Sequence, residues 1–362
     1  MEYEYGLMTK ADKYLVESIY NILQNGIKDE NPRPKYEDGT PAHTYFVTHQ
    51  MRQYDLSKGD FPICTLRPIA WKSAIKEMFW IFQKESNDLK ILNEMGVHFW
   101  DLWDIGDGTN GYRYGHTVHR YDLFKKRVLD DIKNNPYGRY HICNLWQEEE
   151  FKDEPNGLKP CAYETIWTVR EEYLDMFLNQ RSGDLLPASG PGSTNEVQYA
   201  ALLMMVAKHT GYKPGKFTHF VVNEQIYTRQ IDQAKELIHR ANERHLATFE
   251  ALKNDEIDKN LIKSWNGKYY QLLEKMDKCQ KIEFFNNENY IIDSKDELQL
   301  LKEILQRKLT DFENDPSLLK NVVSGEEFWC NVNFKNSSSM YYYNTNDPMS
   351  LALADFNKIK AN

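Results

Sequence analysis

Long apolar runs are missing from this chain. Across its 362 residues no stretch approaches the roughly 20 apolar residues that span a bilayer, so no membrane partner is expected. Cysteine is sparse: five residues, at 64, 143, 161, 279 and 330, form no CxxC pair and no Cys/His ligand spacing. That argues against a disulfide framework and against a zinc site, and reduced thiols fit the cytoplasm, or a host's cytoplasm if the gene belongs to a phage. Positive charge is in deficit. Lys and Arg number 45 against 54 Asp and Glu, a net charge of -9, which speaks against a surface that wraps nucleic-acid phosphates. Internal repeats and long low-complexity tracts are absent. The start, Met1-Glu2-Tyr3-Glu4-Tyr5, is acidic and has neither the basic opening nor the apolar core of a secretory leader.

What is present is a hydrophobic content of 41%, enough for one large domain or two modest ones. Leu15, Ile19, Ile22 and Leu23 recur at helical spacing, so the pattern predicts a helix over 8–27, with Gly26 at its end. Residues 43–54 read as a strand, 69–83 as a buried helix, and 104–115, with four glycines, as a loop. Helix is expected over 123–134, then short strands over 140–146, 164–169 and 173–179. Residues 187–193, rich in Gly and Pro, are expected to be irregular. A helix over 195–210 and a strand over 216–222 follow. Strands and helices interleave without a βαβ rhythm, so the expected fold is α+β, a mixed sheet packed by helices. Composition shifts near 240 toward Lys, Glu and Asn, giving a catalytic core over 1–240 and a divergent region over 241–362. In that region Ser294-Lys295-Asp296-Glu297 is a capping box for one more helix, and 335–344, polar and aromatic, has no assignable role.

One constellation carries chemistry. Pro160-Cys161-Ala162 is followed twenty residues later by Gln180-Arg181-Ser182-Gly183-Asp184, then by Asn195 and by Gln225-Ile226-Tyr227. A cysteine after proline is by itself most often a small buried hydrophobe. Here a guanidinium at the right remove favours the thiolate, and Arg181 with Ser182 can hold a phosphate. An amide at Asn195 can donate and accept at once, which suits a pyrimidine edge. The order points to covalent chemistry on a nucleotide. Seven histidines (49, 98, 116, 119, 141, 209, 219) show no ligand spacing and read as structural.

Further stretches extend the pattern: Arg33-Pro34-Lys35-Tyr36, Tyr54-Asp55-Leu56-Ser57-Lys58-Gly59, Ser73-Ala74-Ile75-Lys76-Glu77, Phe99-Trp100-Asp101-Leu102-Trp103, Tyr112-Arg113-Tyr114-Gly115, Asn135-Pro136-Tyr137-Gly138-Arg139 and Pro214-Gly215-Lys216-Phe217. With these, residues 8–240 resemble the thymidylate synthase family, which includes the pyrimidine nucleotide hydroxymethylases, and look closest to a bacterial branch with Pro-Cys-Ala. The resemblance implies a thymidylate-synthase-like fold, a homodimer, and one-carbon transfer from 5,10-methylenetetrahydrofolate to carbon 5 of deoxyuridylate, without metal. Carried over residue by residue, it makes Cys161 the nucleophile and Glu77 the proton-organising carboxylate, with Tyr114 and Asp184 beside them. Arg33, Arg181 and Ser182 become phosphate ligands, joined by Arg139 from across the dimer. Asn195 becomes the base reader, and Gln225 with Tyr227 the sugar readers. Trp100, Trp103 and Asp184 face the folate.

Three departures bear on the last step: Gln225 stands where the family has histidine, 187–193 enlarges the folate wall, and no short apolar tail ends the chain. Together they favour a deoxyuridylate hydroxymethylase, in which water closes the reaction, over a thymidylate synthase, in which hydride does. A nucleotide-binding homologue without catalysis is the alternative of another class, and the intact Cys161 and Glu77 speak against it.

Overall fold

The computed structural model describes residues 9–151, 157–253 and 359–360. Helix α1, Lys10–Asn25, opens on a reciprocal capping box: the Thr9 hydroxyl takes the Asp12 N–H, and the Asp12 carboxylate takes the Thr9 N–H. Such a cap is worth about 1 kcal/mol. Asp12 also accepts the backbone N–H of Thr65, 2.7 Å away, so the helix start is tied to a distant loop. Strands β1 (Ile27–Lys28) and β2 (Lys35–Tyr36) precede β3, Thr44–Asp55. Helix α2, Trp71–Met78, runs into a wide π-helical turn, Phe79–Gln83. Short helices α3 (Leu89–Glu94) and α4 (Gly115–Tyr121) follow. The helix expected over 123–134 divides into a π-helical segment, Lys125–Asp130, and α5, Asp131–Asn134.

Strands β4 (Ile142–Asn144), β5 (Ala162–Arg170), β6 (Tyr173–Gln180) and β7 (Gly183–Asp184) lead to α6, Thr194–Thr210. Strand β8, Lys213–Tyr227, and helix α7, Ile231–Lys253, close the continuous part, and β9, Ile359–Lys360, stands apart in sequence. The main sheet has the order β1-β3-β8-β6-β5-β4. Strand β8 is its axis, antiparallel to β3 over Asp55 to Thr44 and parallel to β6. The sheet is therefore mixed, as the missing βαβ rhythm implied. Beyond β6 the pairing breaks at Arg181-Ser182 and resumes with Gly183 opposite Glu224. The break frees Arg181 and Ser182 from pairing with β8.

Helix α6 is buried almost all round, from Val197 to Ala207. A helix apolar on every side belongs inside, and each fully buried Leu or Val there contributes roughly 1.5–3 kcal/mol. It packs on α2, β8 and β6, and so brings polar residues of its first turns next to Glu77 of α2. Helix α7 crosses position 240 without a break, so the compositional shift there is not an interruption of backbone. The capping-box helix after Ser294 and the tract 335–344 lie outside the described residues. Among the described residues no helix is long and apolar enough to cross a membrane.

Candidate active site

A cavity of about 710 Å³ lies where the ends of β6, β7 and β8 meet α2 and α6. Twelve of the residues singled out in the sequence line it: Arg33, Glu77, Trp100, Trp103, Tyr114, Cys161, Arg181, Ser182, Asp184, Asn195, Gln225 and Tyr227. Arg139 does not. It is exposed on a turn, between the exposed Tyr137 and Tyr140.

Cys161 ends the loop that leads into β5, and its backbone is pinned by the Arg181 N–H, which donates to the Cys161 carbonyl over 2.9 Å. The Arg181 side chain folds back on the same loop. It donates to the carbonyls of Pro160 and Lys159, each at 2.9 Å, and its Nη2 lies 3.5 Å from the Cys161 Sγ. Burial pushes the Cys161 thiol up; the charges of Arg181 and Arg33 oppose this, and that of Asp184 adds to it. The sequence suggested that a guanidinium alone would favour thiolate. In the folded site desolvation outweighs it, so the thiol is the resting form.

Tyr114 and Trp100 form the wall beside the thiol. Tyr114 is held at φ 50°, the left-handed region, in a non-glycine residue. The turn is enforced by its neighbour, since a Cβ on Gly115 would lie 2.1 Å from the Ser86 carbonyl oxygen. The strained turn puts the Tyr114 hydroxyl 3.4 Å from the Cys161 backbone N–H, which donates to it. Trp100 packs edge-on against Tyr114, ring centres 5.2 Å apart, and its indole N–H donates to Glu77 over 2.7 Å. Glu77 is buried, and desolvation raises its carboxyl to about 7. A buried carboxyl that titrates near neutrality is suited to proton transfer.

Its other oxygen accepts a short hydrogen bond from the Gln198 amide. The Gln198 carbonyl in turn accepts from Asn195 Nδ2 at 2.9 Å, and Asn195 Oδ1 accepts from the Ser189 hydroxyl at 2.8 Å. Gln198 and Ser189 were not singled out in the sequence. Gln198 was findable: it falls three residues after Asn195, one helical turn on, just before the apolar and aromatic run over 199–207. Ser189 carried no such signal.

Gln225 and Tyr227 sit at the end of β8, but both turn toward Asp184. The Gln225 amide donates to Asp184 Oδ1 over 2.6 Å, and Tyr227 also hydrogen-bonds that carboxyl. Burial still carries Asp184 up to about 6. The proposed sugar readers are thus engaged with the carboxylate expected to face the folate.

Residues 187–193 were expected to be irregular. Their first part instead completes a π-helical turn, Leu185–Ser189. The rest is pinned: Gly192 adopts φ +66°, and a Cβ there would lie 2.2 Å from the Cys64 backbone nitrogen. Gly192 donates to Glu196 at 2.7 Å and accepts the Cys64 N–H at 2.9 Å. Pro187, Ala188 and Ser189 line the cavity, so the segment is a packed wall. The different tail was expected to loosen the exclusion of water from the site. Ile359 pairs with Tyr36 and Lys360 with Lys35, directly after Arg33 and Pro34 of the cavity rim. Among the described residues no three His, Cys, Asp or Glu converge as metal ligands.

The thymidylate synthase family model matches residues 13–279. The chain belongs to the thymidylate synthase family. The match runs past the compositional shift near 240. A thymidylate synthase of Lactococcus lactis subsp. lactis is 51% identical over 239 residues, covering 64% of this chain and 84% of the relative. One from Streptococcus pneumoniae is 49% identical over the same shares. Among solved structures, the thermostable thymidylate synthase A of Bacillus subtilis aligns with a TM-score of 0.57 at 37% identity, over 63% of this chain and 84% of that one. The thymidylate synthase fold expected from the motifs is thereby established.

Proposed function

We propose that this chain is a folate-dependent one-carbon transferase, a thymidylate synthase that converts deoxyuridylate to thymidylate with 5,10-methylenetetrahydrofolate as co-substrate. The observation that carries the reading is a single cavity holding the Cys161 thiol, the Glu77–Gln198–Asn195 chain of hydrogen bonds and the Arg33, Arg181 and Ser182 anion ligands. Relatives at about half identity, named thymidylate synthases, favour this product over the hydroxymethyl one. So does the packed wall at 187–193, which weakens the case for water entering, and so does the pairing of Ile359–Lys360 beside the Arg33 loop. These outweigh the departures that had pointed to a hydroxymethylase.

In this reading Arg33, Arg181 and Ser182 take the phosphate, and Asn195 reads the uracil edge. The Cys161 thiolate adds to carbon 6, forming a carbon–sulfur bond. The electron pair of the 5,6 double bond moves to carbon 5 and the carbonyl at carbon 4. Tyr114 and the Trp100–Glu77 pair stand where that charge and its proton are handled. Trp100, Trp103 and the Asp184 carboxyl suit a flat, hydrogen-bonding folate ring, and an aromatic wall beside a protonatable carboxyl fits such a group. When bound, the folate supplies the methylene carbon and the hydride that makes it methyl. The experiment is incubation with deoxyuridylate and methylenetetrahydrofolate. Dihydrofolate equal to a thymidylate-mass product is expected; a product heavier by one oxygen atom, without dihydrofolate, restores the hydroxymethylase. No product and no covalent adduct leaves only a binding homologue.

The proposed unit is a cytoplasmic homodimer with its catalytic core in 1–240 and an appended region over 241–362. The open face of the sheet presents Ile166, Phe177, Phe220 and Val222, none fully buried, and Met51, which is 66% exposed. A second copy would cover such a face. Arg139, outside its own cavity, would then reach the partner's phosphate. Mixing an Arg139→Ala chain with a Cys161→Ala chain, each inactive, is expected to restore activity to a sizeable fraction of the heterodimer sites. Exchange of subunits without recovery would remove Arg139 from that role.

A further inference from the structure

Behind the cavity lies a buried polar cluster that the proposed chemistry does not use. Arg52 of β3 pairs with Glu196 of α6 at 3.0 Å and with Glu224 of β8 at 2.5 Å. Glu196 also accepts from the Tyr54 hydroxyl at 2.6 Å and the Gly192 N–H at 2.7 Å. The His219 ring, wholly buried on β8, fits between Glu196 and Gln180: Nδ1 is 2.9 Å from Glu196 Oε1, and Nε2 is 3.0 Å from Gln180 Oε1. The arrangement is costly unless it fixes something.

What it fixes can be read from the groups whose roles are unambiguous. The Ser182 carbonyl only accepts, and the Gln180 amide nitrogen lies 2.9 Å from it. Gln180 must therefore turn its nitrogen to Ser182 and its oxygen to His219, so His219 Nε2 must carry a proton. Glu196, taking donors from Arg52, Tyr54 and Gly192, is a carboxylate, so the ring nitrogen facing it must carry a proton as well. Burial disfavours the charged ring and also raises the Glu224 carboxyl; with both carboxylates ionised beside Arg52, it is the charged ring that makes the cluster neutral.

From His219 the donors then run one way. Its Nε2–H donates to Gln180, and the Gln180 amide donates to Ser189 at 2.7 Å. Ser189 donates to Asn195 Oδ1, Asn195 Nδ2 to Gln198, and Gln198 to Glu77. Asn195 Nδ2 keeps a second proton for a ligand, while its Oδ1 takes the Ser189 hydroxyl at 2.8 Å and the Gln180 amide directly, but only at 3.4 Å, a long contact that a ligand donor can replace. The Asn195 oxygen can accept uracil N3–H and its nitrogen can donate to O4. Reversed, the same amide would match cytosine, whose N3 accepts and whose amine donates.

Resting on the reading of Asn195 as the base reader, we propose that His219 is a positioning residue for pyrimidine choice. Protonated on both nitrogens between Glu196 and Gln180, it orients Gln180, and through Ser189 it holds Asn195 in the sense that takes uracil and rejects cytosine.

The test compares deoxyuridylate and deoxycytidylate binding in wild type, His219→Phe and His219→Gln. Phenylalanine keeps the ring beside Phe217 but has no donor, and it is expected to weaken deoxyuridylate about tenfold or more, the scale of one mispaired buried hydrogen bond, while deoxycytidylate holds or gains. Glutamine, which can donate to Gln180, should recover part of the preference. A folded His219→Phe with an unchanged ratio overturns the proposal, whatever its melting temperature. Should that variant fail to fold, 15N spectra of histidine-labelled wild type decide. The His219 resonance, identified by its loss in His219→Gln, should carry protons on both ring nitrogens at neutral pH, and a bare Nε2 overturns the proposal. Wild type that binds neither nucleotide would instead sink the functional reading itself.

Discussion

Cys161→Ala is expected to lower the turnover number by at least about 10³-fold, the scale seen when a covalent catalytic unit is broken, while deoxyuridylate still binds within a few-fold of wild type. The reason lies in how the site divides its work. The phosphate ligands Arg33, Arg181 and Ser182 hang on other parts of the backbone than Cys161, and Asn195 is on α6. Arg181 makes most of its hydrogen bonds to the carbonyls of Lys159 and Pro160, not to the sulfur, so removal of the sulfur leaves the anion site standing. The loss should be in the chemical step because a thiolate is the one group in the cavity soft enough to add to carbon 6. Single-turnover kinetics with an intact-mass search for the nucleotide adduct check this. Retention of more than a tenth of wild-type activity would end the covalent mechanism. The raised thiol also sets a pH signature: alkylation of Cys161 should accelerate beyond the pH where free thiols level off, because burial outweighs the arginines in the resting site.

What the sequence made legible follows from how local each signal was. The thiol, its arginine and the base-reading amide stand in short motifs with fixed spacing, and the cavity gathers them. Helix α1 was readable because its apolar residues repeat at 3.6 and its caps are adjacent in sequence. Helix α7 was missed although Ala234, Leu237 and Ala241, all buried, keep helical spacing; small residues give a weak hydrophobic signal, and the surrounding charges dominated the composition. The length of β8 was underestimated because Asn223, Glu224 and Gln225 look like a polar exit from a strand. In fact Glu224 is buried against Arg52, a partner 172 residues away. The fate of 187–193 was illegible for the same reason. Gly and Pro advertise an irregular loop, and nothing local shows that Gly192 will meet Cys64 or that Glu196 will hold its N–H. Long-range polar pairing left no periodicity to read, and it is the pairing that orients the site.

Glu77→Gln is expected to lower the turnover number by about 10²- to 10³-fold, the range of a positioned proton-transfer group, and to remove an inflection near neutral pH. The carboxyl accepts from two fixed donors, the Trp100 indole on one oxygen and the Gln198 amide on the other. Glutamine offers one oxygen. Its NH₂ must face either the indole N–H or the Gln198 NH₂, and the second choice forces Gln198 to reverse and pulls on Asn195. The wild-type rate should therefore bend near pH 7, where the desolvated carboxyl titrates, and the variant's rate should not. Stability gives an independent reading of the same group. A carboxyl raised in the folded state to about 7, against an unfolded value of about 4.3, contributes its stability fully below that lower value. The contribution is lost as the pH rises toward 7, and it is flat above. Melting temperatures of wild type relative to the variant should thus fall between pH 4.5 and 7 and run parallel beyond it. If the two proteins melt in parallel across the whole range and the rate profile keeps its bend, Glu77 is not the group that titrates, and Asp184, whose carboxyl rises to about 6 beside Gln225 and Tyr227, takes its place.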